Sequence, residues 1–381
     1  MARFLIVCDK FKGSVSASQA MEAIAQGCAK TKYPIDCKGI PVADGGEGSL
    51  LSVQAAIGGN KIVCSVLNAA GYPVEAYYIR HGQSAYLETS LSCGLTILPE
   101  HLRDPISTST FGVGMLIRHA IAEGCRDIHL FLGGSGTHDG GVGMAAAMGF
   151  GFRDSEGSPF LPTGGTLDRI AQIYRLPWAK SMVSISFSCW ADVDVPLTGE
   201  QGSIQFARQK GATEVDLLEL ERGMRHYSSV LHAHFSQRSK EGMPYAGASG
   251  GLGAGCEAYL GATTGGGWNF ISNLHKIESQ IRETDLVITG EGKLDSQSMR
   301  GKVVAGVADM CRKWKKPCVI LCGEADISMT ERAQLGNPII FELRKPGDKP
   351  GQSMAEAFDR LVIVAQKFAQ DWLSGKIRHT S

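Results

Sequence analysis

The chain is predicted to be an α/β protein of two domains, with its two ends forming a parallel sheet and its centre an inserted mixed α/β domain. Three observations predict this. Apolar strand-like runs lead into glycine loops and then into helical stretches at three places, and strands alternating with helices build parallel sheets. The centre instead shows the two-residue alternation of an antiparallel hairpin. Finally, 381 residues exceed what a single hydrophobic core usually organises.

Residues 4–8 form an apolar run too short for a leader's hydrophobic region, so they read as a buried strand. The loop Asp9-Lys10-Phe11-Lys12-Gly13-Ser14 follows, then a helix over about 16–28 with Ser16 or Ser18 as N-cap. Residues 74–79 and 84–88 alternate apolar and polar across His81-Gly82, which predicts a hairpin. Residues 128–132 read as a strand before a glycine loop and a helix at 142–148. Short strands are expected at 183–189 and 204–207, and a charged, solvent-facing helix over 209–243. A strand at 285–289 leads into a Gly290-Glu291-Gly292 turn, a helix at 303–314 and a further strand at 318–322. Residues 377–381 read as a solvated tail. The expected boundaries lie near 68 and 275, pairing 1–68 with 275–381 around an inserted 69–274.

Lys plus Arg and Asp plus Glu each number 38, so no basic surplus exists to neutralise a nucleic-acid backbone or an anionic membrane. The expected partner is a small molecule. The cysteine count of 11 is odd, and no CxxC or HExxH occurs, which predicts reduced thiols and no structural zinc. Cys318 and Cys322 would share one face of a strand, with core packing the expected role. No apolar stretch approaches the roughly 18 residues of a spanning helix, and the cytoplasm is the expected compartment.

Glycine numbers 48, well above average usage, and it clusters in loops where only a bare backbone can approach an anion. In Asp44-Gly45-Gly46-Glu47 two carboxylates flank a glycine pair, which suits Mg²⁺ binding, proton acceptance or a plain acidic turn. The loop from Gly133 to Gly143, with Gly134, Ser135, His138 and Asp139, reads as an anion cradle or as tight packing. It imitates a dinucleotide loop weakly, because the strand-to-GxG distance is too long. Asp192 and Asp194 would project to one side of an extended chain, or one would cap the turn before Pro196. The loop containing Gly250 and Gly251 suits close backbone contact with a ligand or a helix. Gly290-Glu291-Gly292-Lys293-Leu294-Asp295, followed by Arg300-Gly301-Lys302, offers both charges that phosphate and Mg²⁺ need. No Gly-Lys pair precedes Ser or Thr, so there is no Walker A loop.

Taken in order, these loops resemble the type-1 glycerate kinase family, from about residue 3 to residue 370. Residues 9–14 resemble its DxFKGS, 41–48 match PxADGGEG, and 133–143 are similar to GGSATNDGGxG. Asp192 to Leu197 resembles DVxNPL, Gln209-Lys210-Gly211-Ala212 matches QKGA, 250–255 resemble GGLGAG, and 288–302 resemble ITGEGxxDxQTxxGK. Gly136, His138, Val195 and Phe206-Ala207-Arg208 depart from the family pattern.

The resemblance implies an ATP- and Mg²⁺-dependent kinase of D-glycerate, commonly yielding 2-phosphoglycerate. It also implies a flavodoxin-like domain and an inserted one with a cleft between them. Chemistry and motif position then suggest roles. Asp44 or Asp192 would accept the hydroxyl proton, and Glu47 and Asp295 would hold Mg²⁺. Lys12 and Lys302 would meet phosphate oxygens or the glycerate carboxylate. Ser14, Gly45, Gly46, Gly134, Ser135, His138, Asp139, Gly250, Gly251, Gly290, Glu291 and Gly292 would contact substrate or nucleotide. Rival readings are a 3-phosphoglycerate product, another small hydroxy acid as acceptor, a nicotinamide-dependent reductase, or a non-catalytic sensor.

Overall fold

Apolar side chains on both sides of one strand mark a strand covered on both faces, and Ala2–Cys8 is buried from Phe4 onward. In the computed structural model it lies within a five-stranded sheet with Ile35–Pro41, Leu286–Leu294, Cys318–Ala325 and Ile339–Glu342. Every pairing in that sheet is parallel. Counted in chain order within the sheet, the strands lie 2-1-3-4-5, the flavodoxin-like arrangement. One face packs Phe4, Ile6, Ile288 and Leu321 against the helices Ala17–Ala29 and Ala357–Leu373. The other face packs Ile320 and Cys322 against Val304 and Ala308 of the helix Val303–Lys313.

Ser16, rather than Ser18, caps the first helix: its Oγ accepts from Gln19 N at 3.2 Å while Gln19 Oε1 accepts from Ser16 N at 2.9 Å. The expected turn at Gly290-Glu291-Gly292 is strand instead, and Leu286–Leu294 runs straight through it. Its parallel pairing continues to Leu294 opposite Ala325. Glycine serves there for close approach, since a Cβ on Gly290 would lie 2.3 Å from Leu321 O.

The structure describes residues 1–377 apart from 178, 180–183, 236–242, 297, 300–301 and 350. They fall into two compact units, Met1–Asp44 with Trp268–Ser381, and Gly45–Gly267. The expected start of a strand at Val183, the end of the long helix after 235, Arg300, Gly301 and the tail after Ile377 lie outside the described residues.

The second unit holds a six-stranded mixed sheet of Asn60–Leu67, Pro73–His81, Ser84–Glu88, Asp127–Phe131, Ser186–Ala191 and Thr263–Gly266. The first three strands form an antiparallel meander, and the rest continue in parallel from Ser84–Glu88. Asn60–Leu67 pairs along its whole length with Pro73–His81, so the chain passes into this unit after Asp44 rather than near 68. It leaves after Gly267, and the entry and exit points touch: a Cβ on Gly45 would lie 3.0 Å from Gly267 Cα.

Residues 204–207, expected as a strand, lie largely in the 3₁₀ turn Ser203–Phe206. The long helix is Glu214–His234, started by a Thr213–Asp216 capping box after the left-handed Gly211. A small antiparallel sheet of Phe150–Arg153, Pro159–Phe160 and Gln172–Arg175 was not foreseen. All eleven cysteines are unpaired. Among the described residues no helix is long and apolar enough to cross a membrane.

Candidate active site

Ligands of parallel α/β sheets bind beyond the carboxyl ends of the strands. In the first unit that end is defined by Cys8, Pro41 and Gly290, which stand level in the sheet. Asp9 follows the first of these strands, Asp44 follows the second, and Glu291 continues the third. Lys302 Nζ lies 4.0 Å from Asp44 Oδ2, with both side chains mostly buried.

Burial, and then the charge of Asp44, push the Asp9 carboxyl up to about 7 against the opposing pull of Lys10 and Lys302. Burial likewise raises Glu291 to about 7, and its Oε1 is buried without a hydrogen-bond partner among the described residues. Negative charge is therefore crowded at this end of the sheet. The helix Val303–Lys313 begins immediately after Lys302, whose own side chain does not cap its first N–H groups.

Other expected residues of this unit are placed differently. Lys12 is exposed, and the Ser14 hydroxyl donates to Met354 O at 2.6 Å. Gly292 makes room for the first loop, since a Cβ there would sit 3.0 Å from Lys12 N. Asp295 lies 3.9 Å from Lys293, although its charge still reaches Glu291. Among the described residues no group of three or more His, Cys, Asp or Glu side chains could hold a metal ion unaided.

In the second unit two helix starts, among them the one after Gly133–Gly141 expected to cradle an anion, are filled by the protein's own carboxylates. Behind Gly45 and Gly46, buried Glu88 accepts from Gly48 N at 3.0 Å and Leu50 N at 2.7 Å. Glu47 of the same loop is exposed. At the start of Val142–Ala147, Asp139 accepts from Thr110 N, Thr110 Oγ1, Gly141 N and Gly143 N at 2.8, 2.9, 3.1 and 3.2 Å. Buried N–H groups need partners, and these have found them inside the fold.

The glycine loops also pack on each other. Gly250 has φ +67°, a Cβ there would lie 2.2 Å from Thr137 O, and Gly140 N donates to Gly250 O at 3.0 Å. Gly251 is buried beside Gly140 in the same contact.

Two groups near this contact are less fully engaged. Lys210 is buried, with Nζ donating to Ser135 Oγ at 3.1 Å and Thr137 O at 2.7 Å. His138 is fully buried, and neither ring nitrogen has a hydrogen-bond partner among the described residues. Burial, helped by the Lys210 charge, drives its imidazole down to about 3, so it is neutral. Asp192 is half-buried within electrostatic reach of Lys210, whereas Asp194 turns away to accept from Tyr245 N at 2.8 Å. Gly134 is exposed at the turn beside Ser135, with φ +80°.

Asp9, Glu88 and Lys210 were not singled out from the sequence. Asp9 had a signal as the first polar residue after an apolar strand, and Lys210 had one in the Gln209–Ala212 motif. Glu88 had none, because only the fold carries it to Gly48.

Against known proteins, the model of the "Glycerate kinase family" matches residues 4–373. The chain belongs to that family. Members of the glycerate kinase family are phosphotransferases, and this chain is a kinase. It is 34% identical to a glycerate kinase of Bacillus subtilis, over 97% of this chain and 96% of that protein. It is 33% identical to the glycerate 2-kinase of Escherichia coli, over 96% and 97%. A crystal structure of a protein assigned as glycerate kinase 2 from Salmonella typhimurium LT2 superposes with a TM-score of 0.80 at 31% identity, covering 98% of this chain and 99% of that one. This glycerate kinase family member thus shares its fold with that protein along nearly the whole chain.

Proposed function

We propose that this chain transfers the γ-phosphoryl group of ATP to the 2-hydroxyl of D-glycerate, yielding 2-phospho-D-glycerate and ADP. The observation that carries the reading is the convergence of Asp9, Asp44, Glu291 and Lys302 at the uncapped start of Val303–Lys313. Phosphoryl transfer asks a protein mainly for positioning and charge neutralisation. A helix start with a lysine at its N-cap supplies both to phosphate oxygens. The name of the Escherichia coli relative supports the 2-position.

Mg²⁺ fits this end of the sheet. The three carboxylates outnumber Lys10 and Lys302, and Glu291 Oε1 is a buried oxygen without a partner among the described residues. Mg²⁺ is usually held by one or two carboxylates plus waters and phosphate oxygens, so no all-protein cage is required. Asp9 and Glu291 would hold it, in place of Glu47 and Asp295, and bound there it would neutralise charge on the phosphates. Asp44 would take the hydroxyl proton, with Lys302 keeping its carboxylate oriented. The unpaired thiols favour a reducing compartment such as the cytoplasm.

The test is a coupled assay with Mg-ATP, D-glycerate, enolase and pyruvate kinase, without a mutase. Pyruvate formed in proportion to D-glycerate is the expected result. Pyruvate that appears only after phosphoglycerate mutase is added would reassign the product to the 3-isomer, and continued silence would end the glycerate reading. Asp44→Asn should lower kcat by about 10²-fold or more if this carboxylate is the base. A near-normal kcat would take it out of that role.

A further inference from the structure

Glu88 and Asp139 occupy the starts of two helices of the Gly45–Gly267 unit, so the main-chain N–H groups at those two places are spent on the fold. An anion beside those two helix starts would have to meet a side-chain cation. Lys210 is only 2% exposed, and its partners are two neutral oxygens, Ser135 Oγ and Thr137 O. An ammonium has three donors, so one donor and the whole charge are left over. Asp139 and Asp192 act on it through space, but Lys210 forms no ion pair among the described residues. A buried charge without a counter-ion is costly, and an anionic ligand would relieve that cost.

An independent observation comes from the adjoining loop. His138 buries one donor and one acceptor nitrogen, and neither finds a partner. Gly134, next to Ser135, is exposed and opens the loop to solvent.

We propose that Lys210 and Ser135 bind the carboxylate of the small hydroxy acid substrate, and that His138 hydrogen-bonds one of its hydroxyls. The inference rests on the hydroxy-acid reading above and gives that acid its recognition site. It moves carboxylate binding away from Lys12 and Lys302.

The experiment is isothermal titration of the full-length protein with D-glycerate and, separately, with Mg-ATP. Lys210→Met should weaken D-glycerate binding by about 30-fold, the size expected for losing a charge-assisted contact, with Mg-ATP affinity changed by less than about twofold. Ser135→Ala should weaken D-glycerate alone by about fivefold, and His138→Leu by a similar factor, each losing one hydrogen bond. Glycerol, which lacks the carboxylate, should bind with the same weak affinity to wild type, Lys210→Met and Ser135→Ala.

Unchanged D-glycerate affinity in folded Lys210→Met overturns the proposal, as does an equal loss for both ligands. Should Lys210→Met fail to fold, Ser135→Ala and Lys210→Gln decide by the same criteria. Lys210-dependent binding of another hydroxy acid, with D-glycerate silent, would uphold the carboxylate site and overturn the substrate assignment. No binding of any such acid by the wild-type protein would overturn the inference itself.

Discussion

Lys210 has a signature that can be read without any ligand. Burial pulls its ammonium from the ordinary 10.5 down to about 8, against the opposing charges of Asp139 and Asp192. Between those two values the unfolded chain keeps the proton and the native protein has released it. Stability therefore rises with pH across that window as far as this group is concerned. The stability of wild type minus that of Lys210→Met should grow by about 3 kcal/mol from pH 8 to 10.5. Urea titrations at the two ends of the window measure it, and a flat difference would mean that the lysine is well solvated in the native state.

The residues around it show what could be read in advance. Asp44 and Glu291 stood out because each follows or extends an apolar run, where such sheets place ligands, and Lys302 because it brings a positive charge soon after. Asp139 also stood out, but as a ligand contact, whereas its carboxylate is spent on Thr110, Gly141 and Gly143. A carboxylate that plugs its own helix start and one that awaits a ligand look alike in sequence, because the plug depends on Thr110, far away along the chain.

At the scale of elements, local signals served well where capping and periodicity agreed. The first helix begins where the Ser16–Gln19 box dictates, and the hairpin turns at Gly82 as its alternation requires. They failed where a neighbour decided the outcome, as in Leu286–Leu294, whose glycines are held in strand by pairing to Cys318–Ala325.

Helix packing gives a further test. In Ala17–Ala29, Gly27 faces Ala357–Leu373, and a Cβ on it would lie 2.3 Å from Val362 O and 2.5 Å from Ala365 Cβ. Gly27→Ala would gain up to about 1 kcal/mol of helix propensity but incur about 1–3 kcal/mol of overpacking, so a net loss of about 1 kcal/mol is expected. Chemical denaturation measures it, and a stabilised variant would show that the two helices have room to part.

For the whole molecule, the division into two units follows from where apolar side chains gather. The clusters around Leu87 and Leu252, and around Phe150 and Tyr259, draw only on residues between 45 and 267. Those around Phe4 and Val304 draw only on the two chain ends. A chain of residues 45–267 made alone is therefore expected to melt in one cooperative transition by circular dichroism. A gradual melt would show that its core needs the rest of the protein.

Gly45 and Gly267 meet at the doorway through which that segment enters and leaves. A guest whose ends touch puts no tension on its host, whatever its length. Residues 46–266 can in principle be lifted out and replaced by a short turn, or by the corresponding segment of a relative, without stretching the parallel sheet. If Lys210 and Ser135 recognise the acceptor as proposed, its preference would be inherited as a cassette, exchanged between relatives while the host is left as it stands.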